Sequence, residues 1–268
     1  MFSASTDYYR AGSVAEAVGL LEKHDGAKLL AGGHSLIPLM KLRLAEPTAL
    51  IDIGQISGLK GIESTGGTLK IGALTPHAAV ASSDAVRRAS PILADAAAMI
   101  GDPQVRNRGT IGGNVAHADP ASDLPTVLTA LGATFNVTGP GGERSIPASG
   151  FFQGLMSTSM AANEVLTSVE VLSAASGQGS AYSKFYHPAS RFAVIGAAAI
   201  VTVSGGKCTA ASVVLGGLVS SPARAALVEA ALTGNALDED TIASAEYRRS
   251  VASVYVGRAI TAALKRAG

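Results

Sequence analysis

The N-terminal pattern of apolar and polar positions predicts a small α/β unit. Apolar residues recur at helical spacing from Val14 to Leu21, and Ser13 followed three residues later by Glu16 is the signature of a capping box. Short apolar runs bounded by glycine or polar residues predict strands at residues 28–31 and 49–53, with a helix at residues 36–44 between them. Together these elements form a βαβ-like module.

The middle of the chain predicts short strands and helices. Segments 61–64 and 68–71 flank the turn pair Gly66 and Gly67 and predict a hairpin. Helices are expected at residues 76–82 and 91–100, and strands at 133–138 and 164–171. Residues 101–120 are rich in glycine, proline and asparagine and predict a stretch without regular structure. Such a long segment inside a compact domain usually carries a function.

The C-terminal third predicts an antiparallel meander followed by helices. A run rich in serine and glycine at residues 174–180 indicates a linker, and strands are expected at 181–186, 193–203 and 207–215. Helices are expected at residues 223–232 and 247–265. We therefore expect an α+β protein with three units, at residues 1–55, 56–175 and 176–268.

Charge and composition exclude several classes of function. The formal net charge is +1 and only 4% of the residues are aromatic, so neither a basic surface nor a stacking platform for nucleic acid is expected. The most apolar run, residues 192–203, is shorter than the ~20 residues of a membrane-spanning helix. Residues 1–10 lack the apolar core of a signal peptide. The sequence therefore predicts a cytoplasmic protein that binds no nucleic acid.

The inventory of cysteine and histidine predicts no metal site in this chain. Cys208 is the only cysteine, so the chain can neither form an internal disulfide nor hold an iron–sulfur cluster alone, and we expect this thiol to be buried. The histidines do not recur at the spacing of metal ligands on a helix. The motifs of serine hydrolases and P-loop nucleotidases are absent from the sequence, and no catalytic acid, base or nucleophile is predicted.

Two glycine pairs are the strongest chemical signals. The first lies between a predicted strand and a predicted helix, and its segment consists of Ala31, Gly32, Gly33, His34, Ser35 and Leu36. The second segment consists of Thr110, Ile111, Gly112, Gly113 and Asn114. Consecutive glycines allow several backbone N–H groups to face one anion. Each pair alone is typical of an ordinary turn, but two pairs without clustered lysines predict a diphosphate such as that of a dinucleotide cofactor.

The segment from Asp119 to Asp123 and the residue Lys184 each have both a structural and a functional interpretation. Asp119, Ser122 and Asp123 precede a predicted helix near Pro125, where they would cap it, but an aspartate there could also accept hydrogen bonds from sugar or ribityl hydroxyls. Lys184 alternates with apolar neighbours on a predicted strand, which is typical of a solvated face. The residue pattern alone leaves these alternatives open.

The ordered set of these motifs resembles the FAD-binding medium subunits of the molybdenum hydroxylases, in particular the carbon monoxide dehydrogenase branch of the xanthine dehydrogenase family. The resemblance covers essentially the whole chain. It implies an FAD-binding fold of the vanillyl-alcohol oxidase type, with FAD-binding subdomains at residues 1–55 and 56–175. A C-terminal domain with a three-stranded antiparallel sheet and helices follows at residues 176–268. It also implies that both glycine motifs surround the pyrophosphate of FAD.

The resemblance assigns further residues to the cofactor. Asp123 matches a position that contacts ribityl or ribose hydroxyls, and Met160 and Lys184 match positions near the isoalloxazine ring. Phe192 stands where the carbon monoxide dehydrogenase branch often has tyrosine, which removes a hydroxyl but keeps a stacking surface. His77 lies in a segment that approaches the flavin in relatives. Relatives also have a longer connection at residues 243–246, so this junction is expected to be shortened.

The resemblance implies an electron-transfer subunit. A large partner subunit would carry the molybdopterin cofactor and a small one [2Fe–2S] clusters, in a dimer of heterotrimers. Electrons would reach FAD in this chain and leave to quinone, NAD or oxygen. A cytoplasmic location is implied, with attachment to the inner face of the membrane through partners as an open alternative. A free-standing FAD-dependent oxidoreductase and a flavin-free scaffold subunit are the other interpretations. The substrate of the complex and the electron acceptor are not determined by this chain.

Overall fold

The structure of the protein is a computed structural model that describes residues 2–237 and 251–267. The strands are β1 (Asp7–Arg10), β2 (Lys28–Leu30), β3 (Ala49–Asp52), β4 (Ile62–Thr65), β5 (Thr68–Gly72), β6 (Thr134–Gly139), β7 (Gly142–Pro147), β8 (Phe152–Gly154), β9 (Ser157–Thr158), β10 (Val165–Leu172), β11 (Gln178–Tyr186), β12 (Ala193–Ser204), β13 (Lys207–Gly216) and β14 (Ala223–Arg224).

The helices are α1 (Val14–Lys23), α2 (Leu36–Lys41), α3 (His77–Ser82), α4 (Asp84–Ala89), α5 (Pro91–Met99), α6 (Pro103–Arg108), α7 (Ile111–His117), α8 (Asp123–Ala130), α9 (Ala226–Leu232) and α10 (Val251–Ala267). Short 3-10 turns lie at Ser57–Leu59 and Ala148–Gly150. Among the described residues, the helices are too short or too polar to cross a bilayer.

The N-terminal unit is a parallel three-stranded sheet in the order β1-β3-β2. The predicted Ser13 cap is present, since its hydroxyl accepts from the Glu16 N–H at 3.1 Å. The Glu16 carboxylate accepts from the Gly12 N–H at 2.7 Å rather than from the Ser13 N–H, so the second bond of the predicted capping box is shifted by one residue. Helix α1 then buries Ala17, Val18 and Leu21. The prediction missed β1, because this edge strand is mostly exposed and its polar residues lack an apolar pattern.

The second unit is an antiparallel sheet in the order β4-β5-β10-β6-β7. Its core is formed by residues of these strands and of α3, α4, α5, α7 and α8. Phe135 is fully buried and its ring centroid lies 4.3 Å from that of Phe151. The predicted hairpin at residues 61–71 is confirmed as β4 and β5.

The expectation of an irregular segment at residues 101–120 is wrong, because the structure forms α6 and α7 there. Local capping explains both helices. The Asp102 side chain accepts from the Val105 N–H at 2.9 Å, and the Thr110 hydroxyl accepts from the Gly113 N–H at 3.1 Å. These caps, together with tertiary packing, outweigh the low helix propensity of glycine and asparagine.

The C-terminal unit is an antiparallel sheet in the order β11-β12-β13-β14, with α10 packed on one face. The expected three strands are present, but the two-residue strand β14 adds a fourth, and α9 begins at Ala226 rather than at residue 223. The other face packs on the second unit, where Thr126 of α8 lies against Gly216. Strand β12 is therefore buried on both faces, which explains its unbroken apolar run.

Two expectations concern residues that the structure does not cover. The shortened junction at residues 243–246 and the start of the last helix at Tyr247 lie outside the described residues. The described part of that helix runs from Val251 to Ala267. The predicted linker at residues 174–180 is partly strand, since β11 already begins at Gln178.

Candidate functional site

A cavity of about 840 Å³ lies where the three units meet. Its volume falls in the upper part of the ~300–1,000 Å³ range of ligand pockets. The N-terminal unit contributes mainly the segment from β2 to α2, and the second unit contributes residues from α3, α6–α8, β9 and β10. The C-terminal unit contributes Ser190, Arg191 and Phe192. The cavity therefore depends on segments that are distant in the sequence.

The first glycine segment forms the loop between β2 and α2 and lines this cavity. Gly33 adopts φ +74°, a conformation that favours glycine. At Gly32 a Cβ atom would collide with the backbone carbonyl of Arg108, so the two glycine-containing segments pack against each other through this position. Among the hydrogen bonds within the described chain, none uses the N–H groups of Gly33, His34 and Ser35. These donors are available to a ligand.

The second glycine segment forms the first turns of α7 and is anchored to the chain before α3. The Ile111 N–H donates to the Thr75 carbonyl at 3.0 Å, and the Gly112 N–H donates to the Ala73 carbonyl at 2.8 Å. These two N–H groups therefore hold the fold. Thr110, Gly112, Gly113 and Asn114 line the cavity, whereas Ile111 is fully buried in the core and lies outside the cavity wall.

The Asn114 side chain has an unsatisfied acceptor in the cavity wall. Its Nδ2 donates to the Ser122 hydroxyl at 3.0 Å. Its Oδ1 is buried and has no hydrogen-bond partner among the described residues. A buried polar atom without a partner is unfavourable and indicates a missing donor. A ligand hydroxyl or amide would supply that donor.

His77 is a buried histidine at the start of α3, with only 3% of its surface exposed. The backbone N–H of His77 donates to the Gly109 carbonyl at 3.0 Å, and the imidazole ring lies next to Gly109. Burial lowers the pKa of the imidazole to about 4, so the ring is neutral at pH 7. Its Nδ1 has no partner within the described residues. His77 lines the cavity and carries a second buried polar atom without a partner in the described part of the chain.

Asp123, at the first position of α8, joins the cavity wall to the C-terminal sheet. The Tyr182 hydroxyl donates to its Oδ1 at 2.7 Å, and Lys184 Nζ donates to its Oδ2 at 2.8 Å. The side chains of Asp123 and Lys184 are 5% and 4% exposed. Burial raises the pKa of the Asp123 carboxyl, and the Lys184 ammonium and the Tyr182 hydroxyl oppose this rise.

Lys184 lies behind Asp123 rather than in the cavity wall. Besides the ion pair, its Nζ approaches the carbonyl of Met99 at 3.4 Å, at the end of α5. The alternative of a solvated lysine is wrong, because this face of β11 packs on the second unit. For the segment from Asp119 to Asp123, the alternative was that a side chain caps α8. Ser122 does occupy the N-cap position of α8, but its side chain makes no capping hydrogen bond.

Two large apolar side chains, Phe192 and Met160, are part of the cavity lining. Phe192 lines the cavity while 45% of its surface remains exposed, and Met160 lines it while packing against the core of the second unit. Phe192 belongs to the turn between β11 and β12, which is closed by a bond from the His187 N–H to the Phe192 carbonyl at 2.9 Å.

The structure brings most of the predicted site residues together. Those that line the cavity are Ala31, Gly32, Gly33, His34, Ser35, Leu36, His77, Thr110, Gly112, Gly113, Asn114, Asp123, Met160 and Phe192. Tyr182 was missed by the sequence analysis. Because alternate residues of a strand share a face, its position two residues before Lys184 could have placed both side chains together.

Cys208 is buried as expected, with 1% of its surface exposed, and burial raises the pKa of its thiol. Within the described ranges, no group of three or more His, Cys, Asp or Glu side chains is placed to hold a metal ion.

Comparison with known proteins connects this site to a family. Residues 2–171 match the family described as FAD binding domain in molybdopterin dehydrogenase, and residues 180–245 match the CO dehydrogenase flavoprotein C-terminal domain. The carbon monoxide dehydrogenase medium chain of Afipia carboxidovorans is 38% identical, and the match covers 100% of this chain and 99% of that protein. The alpha subunit of the 6-hydroxypseudooxynicotine dehydrogenase complex of Paenarthrobacter nicotinovorans is also 38% identical, with coverage of 98% and 96%.

Solved structures support the same assignment. A carbon monoxide dehydrogenase from Hydrogenophaga pseudoflava, which lacks the Mo-pyranopterin moiety of the molybdenum cofactor, contains a chain that superposes with a TM-score of 0.94. That chain is 40% identical in sequence, and the match covers 99% of both chains. The mixed α/β FAD-binding fold with a C-terminal flavoprotein domain is thus confirmed. The chain belongs to the FAD-binding medium subunits of the molybdenum hydroxylases, and it is an oxidoreductase subunit of the carbon monoxide dehydrogenase-like type.

Proposed function

We propose that this chain holds FAD in the cavity between its three units and transfers electrons through it within a molybdenum hydroxylase complex. Electrons come from [2Fe–2S] clusters of a small partner subunit, after substrate oxidation at the molybdopterin centre of a large one. They leave to an external acceptor. Bound FAD supplies a carrier that accepts electrons singly or in pairs, and the protein supplies binding, orientation and exclusion of water.

The unsatisfied polar groups of the cavity are the observation that supports this proposal most directly. The free N–H groups of Gly33, His34 and Ser35 are suited to the diphosphate, because backbone donors bind phosphate oxygens without a cationic side chain. The buried Asn114 Oδ1 and His77 Nδ1 each need a partner, and a dinucleotide carries both donors and acceptors. The residues present therefore fit FAD.

The other side chains of the cavity suggest which part of the cofactor each would contact. The Asp123 carboxylate is an acceptor for ribityl or ribose hydroxyls. Phe192 and Met160 offer apolar surface to the isoalloxazine ring. Lys184 would act through Asp123, whose negative charge it balances, rather than by direct contact with the ring. Ile111 would contribute through the placement of α7.

The names of two relatives support an assembly with partner subunits. Both a carbon monoxide dehydrogenase medium chain and a subunit of a 6-hydroxypseudooxynicotine dehydrogenase complex are 38% identical to this chain. Since these complexes act on unrelated substrates, the substrate is selected in another subunit. A dimer of heterotrimers is the expected assembly. Quinone, NAD and oxygen are all candidate acceptors.

Flavin binding can be tested with a matched pair of glycine substitutions. The purified full chain should bind one FAD. Gly33→Asp should abolish this binding, because it places a carboxylate beside the diphosphate and strains a backbone with positive φ. Gly205→Asp is the control: Gly205 also has positive φ, but it lies in the turn between β12 and β13, away from the cavity. FAD in Gly33→Asp at the wild-type stoichiometry would contradict the diphosphate position.

The place in a complex can be tested by native purification. We expect two further subunits to co-purify, one with molybdopterin and one with iron and acid-labile sulfide, and bound FAD to be reduced when substrate is added. A yellow protein that purifies alone would favour the free-standing oxidoreductase. A colourless protein would favour the scaffold interpretation.

A further inference from the structure

Both oxygens of the Asp123 carboxylate are held by residues of β11. Tyr182 donates to Oδ1 at 2.7 Å and Lys184 to Oδ2 at 2.8 Å, and Asp123 itself lines the cavity. Each carboxylate oxygen can accept about two hydrogen bonds, so one site on each oxygen remains for a ligand. The C-terminal sheet thus fixes the orientation in which this carboxylate meets the cavity.

The space for the Tyr182 hydroxyl is provided by a glycine on the neighbouring strand. Gly196 pairs with Lys184 in the register of β11 and β12. A Cβ atom at this position would collide with the Tyr182 hydroxyl and would lie 3.1 Å from Cζ of the ring. The hydroxyl therefore reaches Asp123 across a strand position that has no side chain. Any larger residue there would displace it.

We propose that Tyr182 is a positioning residue of the cofactor site, whose hydroxyl holds the Asp123 carboxylate in the orientation that accepts hydrogen bonds from FAD. This inference rests on the proposed function. Without the Tyr182 hydroxyl, the carboxylate keeps only the Lys184 contact and can rotate about its Cβ–Cγ bond. The Tyr182 ring packs in the core of the second unit, and phenylalanine would preserve that packing. The hydroxyl can therefore be tested separately from the ring.

The first experiment measures FAD affinity of the full chain by titration of the flavin-free protein. Tyr182→Phe should weaken binding about tenfold or more, the range of a hydrogen bond to a charged group. Tyr186→Phe removes the same kind of hydroxyl four residues further along β11, from an exposed ring that does not line the cavity. This control should stay within about twofold of wild type.

A double-mutant cycle separates positioning from general stability. If Tyr182 acts through Asp123, Tyr182→Phe should change FAD affinity by no more than about twofold in an Asp123→Asn background. The visible circular dichroism of bound flavin should also differ between wild type and Tyr182→Phe at saturating FAD, because the cofactor is held differently. A purely structural role would leave this spectrum unchanged.

A second variant keeps the test independent of the folding of Tyr182→Phe. Gly196→Ala retains the hydroxyl but pushes it away from Asp123, and it should weaken FAD binding by a similar factor. Wild-type affinity in Tyr182→Phe, or effects of Tyr182→Phe and Asp123→Asn that multiply independently, would overturn the inference while leaving the proposed function intact. Absence of FAD binding in the wild-type chain would overturn both.

Discussion

Protonation of the buried His77 should make acid unfolding of this chain steeper than that of a variant without the imidazole. His77 is 3% exposed, and burial lowers its pKa to about 4 from an ordinary value of 6.5. The perturbation is a decrease in pH from 7 to 4 on the flavin-free chain. The comparison variant is His77→Gln, which keeps a polar side chain but does not titrate.

The sign and size follow from linkage between protonation and folding. Between pH 6.5 and 4 the unfolded chain binds a proton at His77 that the folded chain does not. The free energy of unfolding is therefore unaffected by protonation of His77 above pH 6.5, and it decreases as the pH falls from 6.5 towards 4. The pKa gap of about 2.5 units, at 1.36 kcal/mol per unit, corresponds to a loss of about 3 kcal/mol.

Urea unfolding followed by circular dichroism at several pH values between 7 and 4 measures this effect. The free energy of unfolding of wild type should fall by about 3 kcal/mol more than that of His77→Gln over this interval. The two proteins are compared by the slope of the free energy of unfolding against pH. The absolute value at pH 7 is not used, because glutamine also changes the packing at this position. Parallel curves for wild type and His77→Gln would refute the reasoning.

Two further substitutions test the interior of the protein. Lys184→Met leaves the Asp123 carboxylate buried without a cation and should lower the free energy of unfolding by about 3–5 kcal/mol. Urea unfolding at pH 7 measures this loss, and the double variant Lys184→Met/Asp123→Asn should recover part of it. A decrease in the free energy of unfolding of less than about 1 kcal/mol for Lys184→Met would contradict the buried ion pair. Phe135→Ala empties a fully buried position beside Phe151 and should cost about 3–5 kcal/mol. Calorimetry would show this as a lower Tm, and an unchanged Tm would contradict the placement of Phe135 in the core.

Local sequence patterns were sufficient to predict those helices and strands whose formation is determined by the residues within them. Helix α1 followed from its apolar spacing and its Ser13 cap, and the long strands of the C-terminal unit followed from their apolar runs. Helices α6 and α7 did not, because glycine and asparagine argue against a helix. Their stability comes from caps and from bonds such as that between Gly112 and Ala73.

The site shows the same division between local and long-range information. The glycine pairs could be recognised in the sequence, but only the fold shows that Gly32 packs on the backbone at Arg108. Lys184 could not be assigned from its strand alone, since alternation does not reveal that a second unit covers the polar face. Its burial depends on Asp123, 61 positions earlier in the chain.

The contribution of Ser190, Arg191 and Phe192 to the cavity has a consequence for synthesis on the ribosome. The glycine loops and Asp123 leave the exit tunnel well before Lys184 and the turn that ends at Phe192. A nascent chain that has emerged only as far as β10 leaves the carboxylate of Asp123 without its two donors and the core of the second unit without Tyr182 and Ala198. On the proposed function, flavin incorporation is thus delayed until the C-terminal sheet has been translated, and premature release yields a protein without the complete pocket.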